Sequence, residues 1–304
     1  DVKPIVGIGA ATWDRFMIVP DFPASEGVIQ GTASAEQGGG PVATALCTLA
    51  TLGYPTLLLD AQGDDATGHM IMRDLTHFGV GTSRIRIHQG FASGHAQILV
   101  RQRDGARAIC FQAATCPEVS PLEIDDDLIK GAALLHVNGR HEGACAAGIM
   151  SARNHGVPIS FDGGAGRWRE SLRQYVLSSH IRIVAKDFAF KFAGTASLES
   201  AARKLLAGNP SLLIITDGLR GSWIWSDENE HFHQPAHPVP SVVDTTGCGD
   251  VFHGAFLYGH VRNWRLRRTA EFAARLAAET ARQLGGRSAI RQRDLMHELE
   301  TSGE

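Results

Sequence analysis

Short runs of apolar and β-branched residues recur along most of the chain, separated by stretches with helical patterns or turns. Runs of this length and composition predict buried strands. Their alternation with helices predicts an α/β fold, with a mainly parallel sheet covered by helices on both faces. The predicted core strands are 4–10, 56–60, 132–138, 157–162, 181–185 and 212–216.

Length and composition limit the class of protein. The chain has 304 residues, 43% of them hydrophobic and 20% charged, which is typical of one large globular domain over 1–304. A net charge of -3 with mixed signs argues against nucleic acid or an anionic membrane as a partner. There is no apolar run of about 18 residues. The five cysteines are scattered without a CxxC, so we expect reduced thiols in a cytoplasmic protein.

The stretch 244–256 has the clearest chemical pattern. It reads Asp-Thr-Thr-Gly-Cys-Gly-Asp and continues as Val-Phe-His-Gly-Ala-Phe. The two glycines let the backbone approach a ligand, and the amides of Gly247, Cys248 and Gly249 would face an anion at a helix N-terminus. Asp250 adds a proton acceptor in the first helical turn. A loop that binds anions beside a base is what phosphoryl transfer to a hydroxyl requires.

A shorter pattern of this kind is equally compatible with a glycine-rich turn capped by Asp. The whole string, however, resembles the DTxGAGD signature of the ribokinase-like (PfkB) carbohydrate kinases, with Cys248 in place of the usual Ala. The resemblance implies a ribokinase-like three-layer sandwich with a small β-lid, expected near 15–37 and 92–113. It also implies ATP and Mg²⁺ as cofactors, K⁺ in some members, a small sugar as substrate, and a homodimer through the lid.

The resemblance assigns residues to the sugar side of the site. Asp14 follows the first strand at its carboxyl end, where open α/β sheets bind ligands, although a solvated turn aspartate fits the spacing equally well. The segment 38–45 opens a helix and is similar to the GGGPxATA form of sulfofructose kinases, so Gly39 and Gly40 are expected to contact the sugar. Thr44 occupies the position of the usual sugar-contacting Asn, and offers fewer donors.

Arginines at four further positions bear on the substrate or on the lid. Arg140, in His-Val-Asn-Gly-Arg, lies in a stretch similar to ketohexokinases and is a candidate substrate contact, with a solvated arginine as the alternative. Sulfofructose kinases and ketohexokinases both phosphorylate the C1 hydroxyl of a ketose, so the resemblance implies a ketose or a ketose-like acid. The arginines 101, 103 and 107 flank a predicted Asp-Gly hairpin and are expected to be charges on the lid surface, with contact of one of them to an anionic substrate as the alternative.

The nucleotide side follows from the segment 216–221, Thr-Asp-Gly-Leu-Arg-Gly, which joins two predicted strands. It resembles the family's nucleotide loop, whose backbone holds phosphate and ribose. The resemblance implies nucleotide-binding roles for Lys186, Thr216, Asp217, Gly218, Gly221 and Gly249.

Metal placement is less clear from the sequence. The family's Asn-x-x-Glu, which helps organise Mg²⁺, is absent, and Asp187 is the nearest acidic substitute. The segment 286–290 is similar to a closing loop that borders the adenine pocket and, in some members, a monovalent-cation site. On that basis Asp244 is the candidate ligand for such a cation.

These expectations describe an ATP-dependent sugar kinase in which Asp250 accepts the hydroxyl proton. An aspartate with its ordinary pKa of about 3.9 is ionised at neutral pH, so no pKa shift is required. The chain lacks GxxxxGKS/T and is therefore not a P-loop enzyme. A nucleoside kinase of the same fold and a catalytically silent sugar- or nucleotide-binding protein are the alternatives.

Overall fold

The computed structural model describes residues 2–302. Thirteen strands and ten α-helices lie within them. The strands are β1 (Ile5–Ile8), β2 (Thr12–Val19), β3 (Ala33–Gly39), β4 (Thr56–Gly63), β5 (Gly81–His88), β6 (His95–Arg101), β7 (Arg107–Gln112), β8 (Leu134–Val137), β9 (Ile159–Gly163), β10 (Ile181–Ala185), β11 (Leu212–Thr216), β12 (Ser222–Ser226) and β13 (His231–Gln234). The helices are α1 (Pro41–Thr51), α2 (Ala66–Phe78), α3 (Asp126–Lys130), α4 (Glu142–Asn154), α5 (Arg173–Ser178), α6 (Lys186–Ala193), α7 (Leu198–Leu205), α8 (Cys248–Val261), α9 (Leu266–Ala281) and α10 (Arg293–Thr301).

Nine strands form one large sheet in the order β13-β12-β11-β10-β9-β8-β1-β4-β5. The neighbours from β5 to β11 run parallel, whereas β12 and β13 pair antiparallel at one edge. All six core strands expected from the sequence are present, and the predicted mainly parallel sheet is confirmed. Its carboxyl-terminal edge is the edge at which such sheets bind ligands.

Helices cover both faces of the large sheet because its strands are apolar on both sides. Successive residues of a strand point to opposite faces. Ile183 accordingly belongs to the core shared with α1, α8 and α9, and Val184 to the core shared with α4, α6 and α7. Ile214 and Ile215 divide between the same two cores. No helix within residues 2–302 is long and apolar enough to cross a lipid bilayer.

Local capping sets the start of the helices next to the site. Helix α1 begins with Pro41 after Gly40. The φ of Gly40 is 91°, a conformation that glycine adopts without strain, and a Cβ added there would lie 2.1 Å from a backbone carbonyl oxygen. The sequence pattern predicts a turn over 63–68 and a helix over 69–78, but helix α2 begins earlier, at Ala66. The side chain of Asp65 accepts the N–H of Gly68 and so caps it.

Four strands form a separate small sheet in the order β3-β2-β6-β7, hereafter the small sheet. The sequence predicts loop and short strands over 19–37. The structure has an irregular connection over 20–32 between β2 and β3, both of which are regular strands. Strand β2 begins at Thr12, so Asp14 lies within the small sheet rather than in a turn. Strands β6 and β7 form the expected hairpin, with Gly105 at φ 67°.

Candidate active site

The predicted anion-binding loop lies at the N-terminus of α8. Gly247 is the N-cap residue at φ 75°, and the N–H of Val251 donates the first helical bond, to the carbonyl of Gly247 at 2.9 Å. The N–H groups of Cys248, Gly249 and Asp250 therefore have no acceptor within the helix. A Cβ on Gly249 would meet nothing within 4 Å, so this side of the loop is open. The loop can hold an anion.

Asp244 fixes the shape of this loop. It is fully buried, and its two carboxylate oxygens accept the N–H groups of Thr246 at 2.8 Å and Gly285 at 2.9 Å. A Cβ on Gly247 would come within 2.5 Å of the Cα of Gly286, so the two glycine turns touch. Both oxygens of Asp244 serve this contact, and its role with a monovalent cation stays a prediction.

Asp250 lies in the first turn of α8 and is half-buried. Burial raises the pKa of Asp250 above its ordinary value, and the carboxylate of Asp162 raises it further. The positive charges of Arg167, His253 and Arg107 act in the opposite direction. The chemistry does not require this rise, and the burial that causes it was not visible in the sequence. A raised pKa makes Asp250 a stronger proton acceptor once it is ionised.

Asp14 lies in the same cleft on strand β2. Its Oδ1 accepts the hydroxyl of Thr12 at 2.9 Å, and an added Cβ on Gly39 would lie 2.0 Å from its Oδ2. Only glycine leaves room for the carboxylate at that position. Burial raises the pKa of Asp14 to about 6, although the hydrogen bond from Thr12 acts to lower it. The negative charge of Asp250 adds to the rise. The structure thus brings the two predicted carboxylates together.

Thr44 does not face the open cleft as expected. It is 2% exposed, and its hydroxyl accepts the Nε of Arg287 at 3.0 Å. The buried guanidinium of Arg287 also donates to Asp74 at 2.7 Å and to the carbonyl of Gly39 at 2.7 Å. The shorter hydroxyl at position 44 therefore supports Arg287, which in turn holds the Gly39 backbone beside Asp14.

The predicted nucleotide loop follows β11 and is held by charge pairs. Lys186 Nζ lies 2.9 Å from Asp217 Oδ2, and Arg220 Nε lies 2.6 Å from the same oxygen. Burial raises the pKa of Asp217, but the bonds from Arg220 and Lys186 outweigh it and hold the pKa below its ordinary value. Gly218 and Gly221 both take positive φ. Lys186 is thus held against the 216–221 loop by its ion pair with Asp217, in agreement with a shared nucleotide site.

His253 was not singled out from the sequence. Its Nδ1 lies 2.7 Å from the carbonyl oxygen of Gly249 and its Nε2 lies 3.0 Å from that of Ile183. Carbonyl oxygens only accept hydrogen bonds, so this geometry suits a ring with a proton on both nitrogens. The Nε2 is also 3.6 Å from Asp162 Oδ1. A histidine one helical turn after Asp250 was visible in the sequence, but nothing there marked its partners.

Two arginines flank the cleft. Arg107 Nη1 donates to the hydroxyl of Thr245 at 2.7 Å, whereas Arg101 and Arg103 pair with acidic residues of the small sheet and its loops. Arg107 is also an exposed charge of the small sheet, as expected, but it contacts the loop before α8 as well. Arg167 lowers the pKa of both Asp14 and Asp250, so it lies close to both carboxylates.

The fold and this cleft agree with a comparison to known families. A family model described as pfkB family carbohydrate kinase matches residues 3–293. The chain belongs to the PfkB carbohydrate kinase family. The kinase is therefore a phosphotransferase that uses ATP and an alcohol acceptor, and the ribokinase-like fold predicted from its motifs is confirmed.

Individual relatives are distant in sequence. The kinase is 26% identical over 297 residues to the ATP-dependent ribose-1-phosphate kinase of Halopiger xanaduensis, with 94% of each chain covered. The Arabidopsis thaliana ribokinase complexed with ribose and ATP superposes with a TM-score of 0.82 at 22% identity, covering 99% of both chains. A candidate ribokinase II from E. coli, solved with ATP and Mg²⁺, superposes with a TM-score of 0.84 at 20% identity. The match covers 99% of this chain and 100% of that one.

Mg²⁺ is general among kinases of this fold, and the described carboxylates differ in how well they suit it. Asp187 pairs with Lys191 at 2.9 Å and accepts the N–H of Gly166 at 2.8 Å, so its oxygens are engaged. Asp162 is 3% exposed, and its Oδ2 has no hydrogen-bond partner within residues 2–302. A buried carboxylate oxygen without a donor is uncommon. Asp162 therefore fits a cation better than Asp187, whose role stays a prediction.

Cys248 fills the usual Ala position without adding reactivity. Burial raises the pKa of its thiol to about 12, with the charge of Asp244 adding to the rise. The thiol is therefore neutral at physiological pH and cannot act as a thiolate nucleophile. Its side chain leaves the N–H groups of the loop free.

Proposed function

We propose that the kinase transfers the γ-phosphoryl group of ATP to a hydroxyl of a ketose or ketose-like sugar acid. The observation that carries this proposal is the position of Asp250 in the first turn of α8, beside N–H groups that have no helical acceptor. The ketose class is supported by the likeness of residues 38–45 and 136–140 to sulfofructose kinases and ketohexokinases.

The sugar lies between the small sheet and α8 in this proposal. Asp14 accepts a hydroxyl of the sugar, with the backbone of Gly39 and Gly40 alongside and Arg140 further along the cleft. Asp250 takes the proton from the reacting hydroxyl as that oxygen attacks phosphorus. The amides of the 247–249 turn stabilise the charge on the transferring group. Burial of Asp250 favours this step because it strengthens the carboxylate as a base.

ATP lies along the segment 216–221 in this proposal, with Lys186 and Gly249 near its phosphates. When bound, Mg²⁺ would neutralise negative charge on the phosphates of ATP. This ion keeps several waters and takes one or two carboxylates together with substrate phosphates. One carboxylate with a free oxygen, that of Asp162, is therefore sufficient as the protein ligand. A K⁺ site at Asp244 is a weaker proposal, because both of its oxygens already accept backbone bonds.

A homodimer through the small sheet is supported by its exposed edge. Ile109 and Phe111 of β7 are 51% and 53% exposed. They pair with Ile98 and Ala96, so they share the face on which those residues are buried. An edge strand with apolar side chains is a surface that a second copy can cover.

The test is ADP release from ATP over a panel of ketoses, sugar acids, sugar phosphates and nucleosides. We expect the highest kcat/KM with a ketose or ketose-like acid. Preference for a nucleoside would replace the proposal with a nucleoside kinase. Thermal stabilisation by a sugar without turnover of any acceptor would indicate a silent binding protein.

A further inference from the structure

A buried ion pair lies behind the strand that carries the candidate sugar contacts. Gly38 and Gly39 end β3, and a Cβ added to Gly38 would lie 2.3 Å from both Arg287 Nη1 and Asp74 Oδ2. A Cβ added to Gly39 would lie 2.0 Å from Asp14 Oδ2. Successive residues of a strand point to opposite faces. The thickness of one glycine backbone therefore separates Asp14 from the ion pair.

The guanidinium of Arg287 joins three elements and orients one peptide of the site. Its Nε donates to Thr44 of α1 at 3.0 Å, its Nη1 to Asp74 of α2 at 2.7 Å, and its Nη2 to the carbonyl of Gly39 at 2.7 Å. The C=O and N–H of a trans peptide point in opposite directions. The N–H of Gly40 consequently points away from the guanidinium. It has no acceptor within residues 2–302, so it is available to a ligand.

The backbone of Arg287 is fixed to the same strand. Its N–H donates to the Oε1 of Gln37 at 2.6 Å. The Nε2 of Gln37 lies 3.4 Å from both the carbonyl oxygen of Leu284 and the hydroxyl of Ser288. Gln37 precedes Gly39 by two residues in β3. Arg287 is therefore tied to β3 through its backbone as well as its side chain, and its guanidinium is held in place before any ligand binds.

The ion pair carries positive charge in excess. One carboxylate oxygen of Asp74 accepts from Arg287 and the other from Arg291, so two arginines share one acid. The side chain of Arg291 is 39% exposed, whereas that of Arg287 is 1% exposed. Water screens an exposed charge much more than a buried one. The charge that acts across the β3 backbone is therefore that of Arg287.

The groups that set the ionisation of Asp14 come from several elements. Burial raises the pKa of Asp14 to about 6, while the hydrogen bond from Thr12 and then the charge of Arg287 lower it. The carboxylate of Asp250 raises this pKa and the exposed Arg167 lowers it. Arg287 thus favours the carboxylate form of Asp14, which accepts a hydroxyl proton more strongly than the neutral acid.

We propose that Arg287 is a positioning residue for the sugar: it holds the Gly39–Gly40 peptide with its N–H free and places a positive charge behind Asp14. The inference rests on the proposed function, in which Asp14 and the glycine backbone contact the sugar. It adds a residue that acts on the sugar only through those two groups.

Arg287→Met removes the charge, and Asp74 keeps Arg291 as its partner. The measurement is the ratio of kcat/KM at pH 8 to kcat/KM at pH 6, from ADP release with the best acceptor of the panel above. We expect Arg287→Met to raise this ratio about threefold or more over the wild type, because the pKa of Asp14 rises. Arg291→Met is the matched control and should keep the wild-type ratio, because Arg291 binds the same acid without acting on Asp14.

Two further variants separate charge from geometry. Arg287→Lys keeps the charge but has no planar fork to reach Thr44, Asp74 and Gly39 together. We expect it to keep the ratio within about twofold of the wild type and to raise KM for the sugar about tenfold with little change in kcat. In the Asp14→Asn background, Arg287→Met should leave the ratio unchanged, because the carboxylate on which the charge acts is gone.

An unchanged ratio in Arg287→Met would overturn the proposal, and so would a rise that persists in the Asp14→Asn background. If Arg287→Met does not fold, Arg287→Lys decides, since an unchanged KM in that variant also overturns the proposal.

Carboxyl NMR separates this inference from the proposed function. The pKa of Asp14 is followed in the kinase without sugar or ATP, with Asp14→Asn used to assign the resonance. If no acceptor is phosphorylated but this pKa rises in Arg287→Met and not in Arg291→Met, the proposed function fails and the action of Arg287 stands. If an acceptor is phosphorylated and the pKa is the same in all three proteins, the inference fails and the proposed function stands.

Discussion

Arg107 of the small sheet donates a hydrogen bond from Nη1 to the hydroxyl of Thr245 at 2.7 Å, across 138 residues of sequence. The Thr245 hydroxyl in turn donates to the carbonyl of Gly105 at 3.3 Å. The hairpin of the small sheet therefore rests directly on the loop that leads to Asp250. This contact also places a positive charge close enough to lower the pKa of that aspartate.

We expect Arg107→Ala to lower kcat/KM roughly tenfold, the scale of losing one hydrogen bond from a charged group. The side chain is exposed, so the free energy of unfolding should change little. Arg103→Ala is the matched control, because Arg103 pairs only with Asp21 and Asp104 in the described chain. Steady-state ADP release measures both variants. Equal kinetics in the two would show that the contact has no role in turnover.

Asp250→Asn should lower kcat by about 10²- to 10⁴-fold, the range for loss of a general base. Thermal stabilisation by the sugar should persist, because the amide occupies the same space as the carboxylate. Asp227→Asn, at an exposed turn, is the control and should leave kcat unchanged. Near-normal turnover by Asp250→Asn would reject its assignment as the base.

The pKa of about 6 for Asp14 predicts a pH dependence of kcat/KM. The carboxylate accepts a sugar hydroxyl most strongly when ionised, so kcat/KM should fall as the pH drops through about 6. In Asp14→Asn the part of this fall that Asp14 causes should be lost, leaving the acid limb set by Asp250, and kcat/KM should be lower above that pH. A wild-type profile that is flat between pH 5 and 7, measured by ADP release, would contradict the role of Asp14.

The same shift predicts that Asp14 lowers stability. A carboxyl group with a raised pKa favours the folded state while it is protonated, below its unfolded value of 3.8. That advantage is lost as the pH rises through about 6. The difference of about 2 pKa units corresponds to about 3 kcal/mol at most. We expect Asp14→Asn to unfold at higher urea than the wild type at pH 8, with little difference at pH 4.

Asp162→Asn should change both the pKa of Asp250 and the Mg²⁺ requirement of the kinase. Loss of its charge removes one cause of the raised pKa of Asp250, so the acid limb of kcat should move to lower pH. The Mg²⁺ concentration for half-maximal activity should rise by about tenfold or more. Asp187→Asn should leave the Mg²⁺ requirement unchanged, because its carboxylate already holds Lys191. The reverse outcome for the two variants would restore Asp187 as the metal ligand.

Much of the fold was predictable because its determinants are local. Apolar runs predicted six of the seven parallel strands of the large sheet but not β5, and the Asp-Gly turn predicted the β6–β7 hairpin. The starts of helices were less accurate, as with α2, because the capping bond of Asp65 is a single side-chain contact. The regularity of β2 was missed because its pairing with β3 and β6 is made across the chain.

The candidate site divides in the same way. Gly247 and Asp250 could be predicted as candidates because the pattern that marks them lies in adjacent residues at one helix start. Thr44 was misplaced and Asp162 was missed, since their partners come from distant parts of the chain.

The sequence by itself determined most strands of the large sheet, the turn before α8 and the family, because each depends on spacing within a short segment. Only the tertiary structure decided which charges share the cleft. Asp14, Asp162, Asp250 and the arginines around them come from different strands, a helix and loops. Their pKa values follow from burial and from charges acting through space, and both are set when the small sheet and α8 meet at the edge of the large sheet.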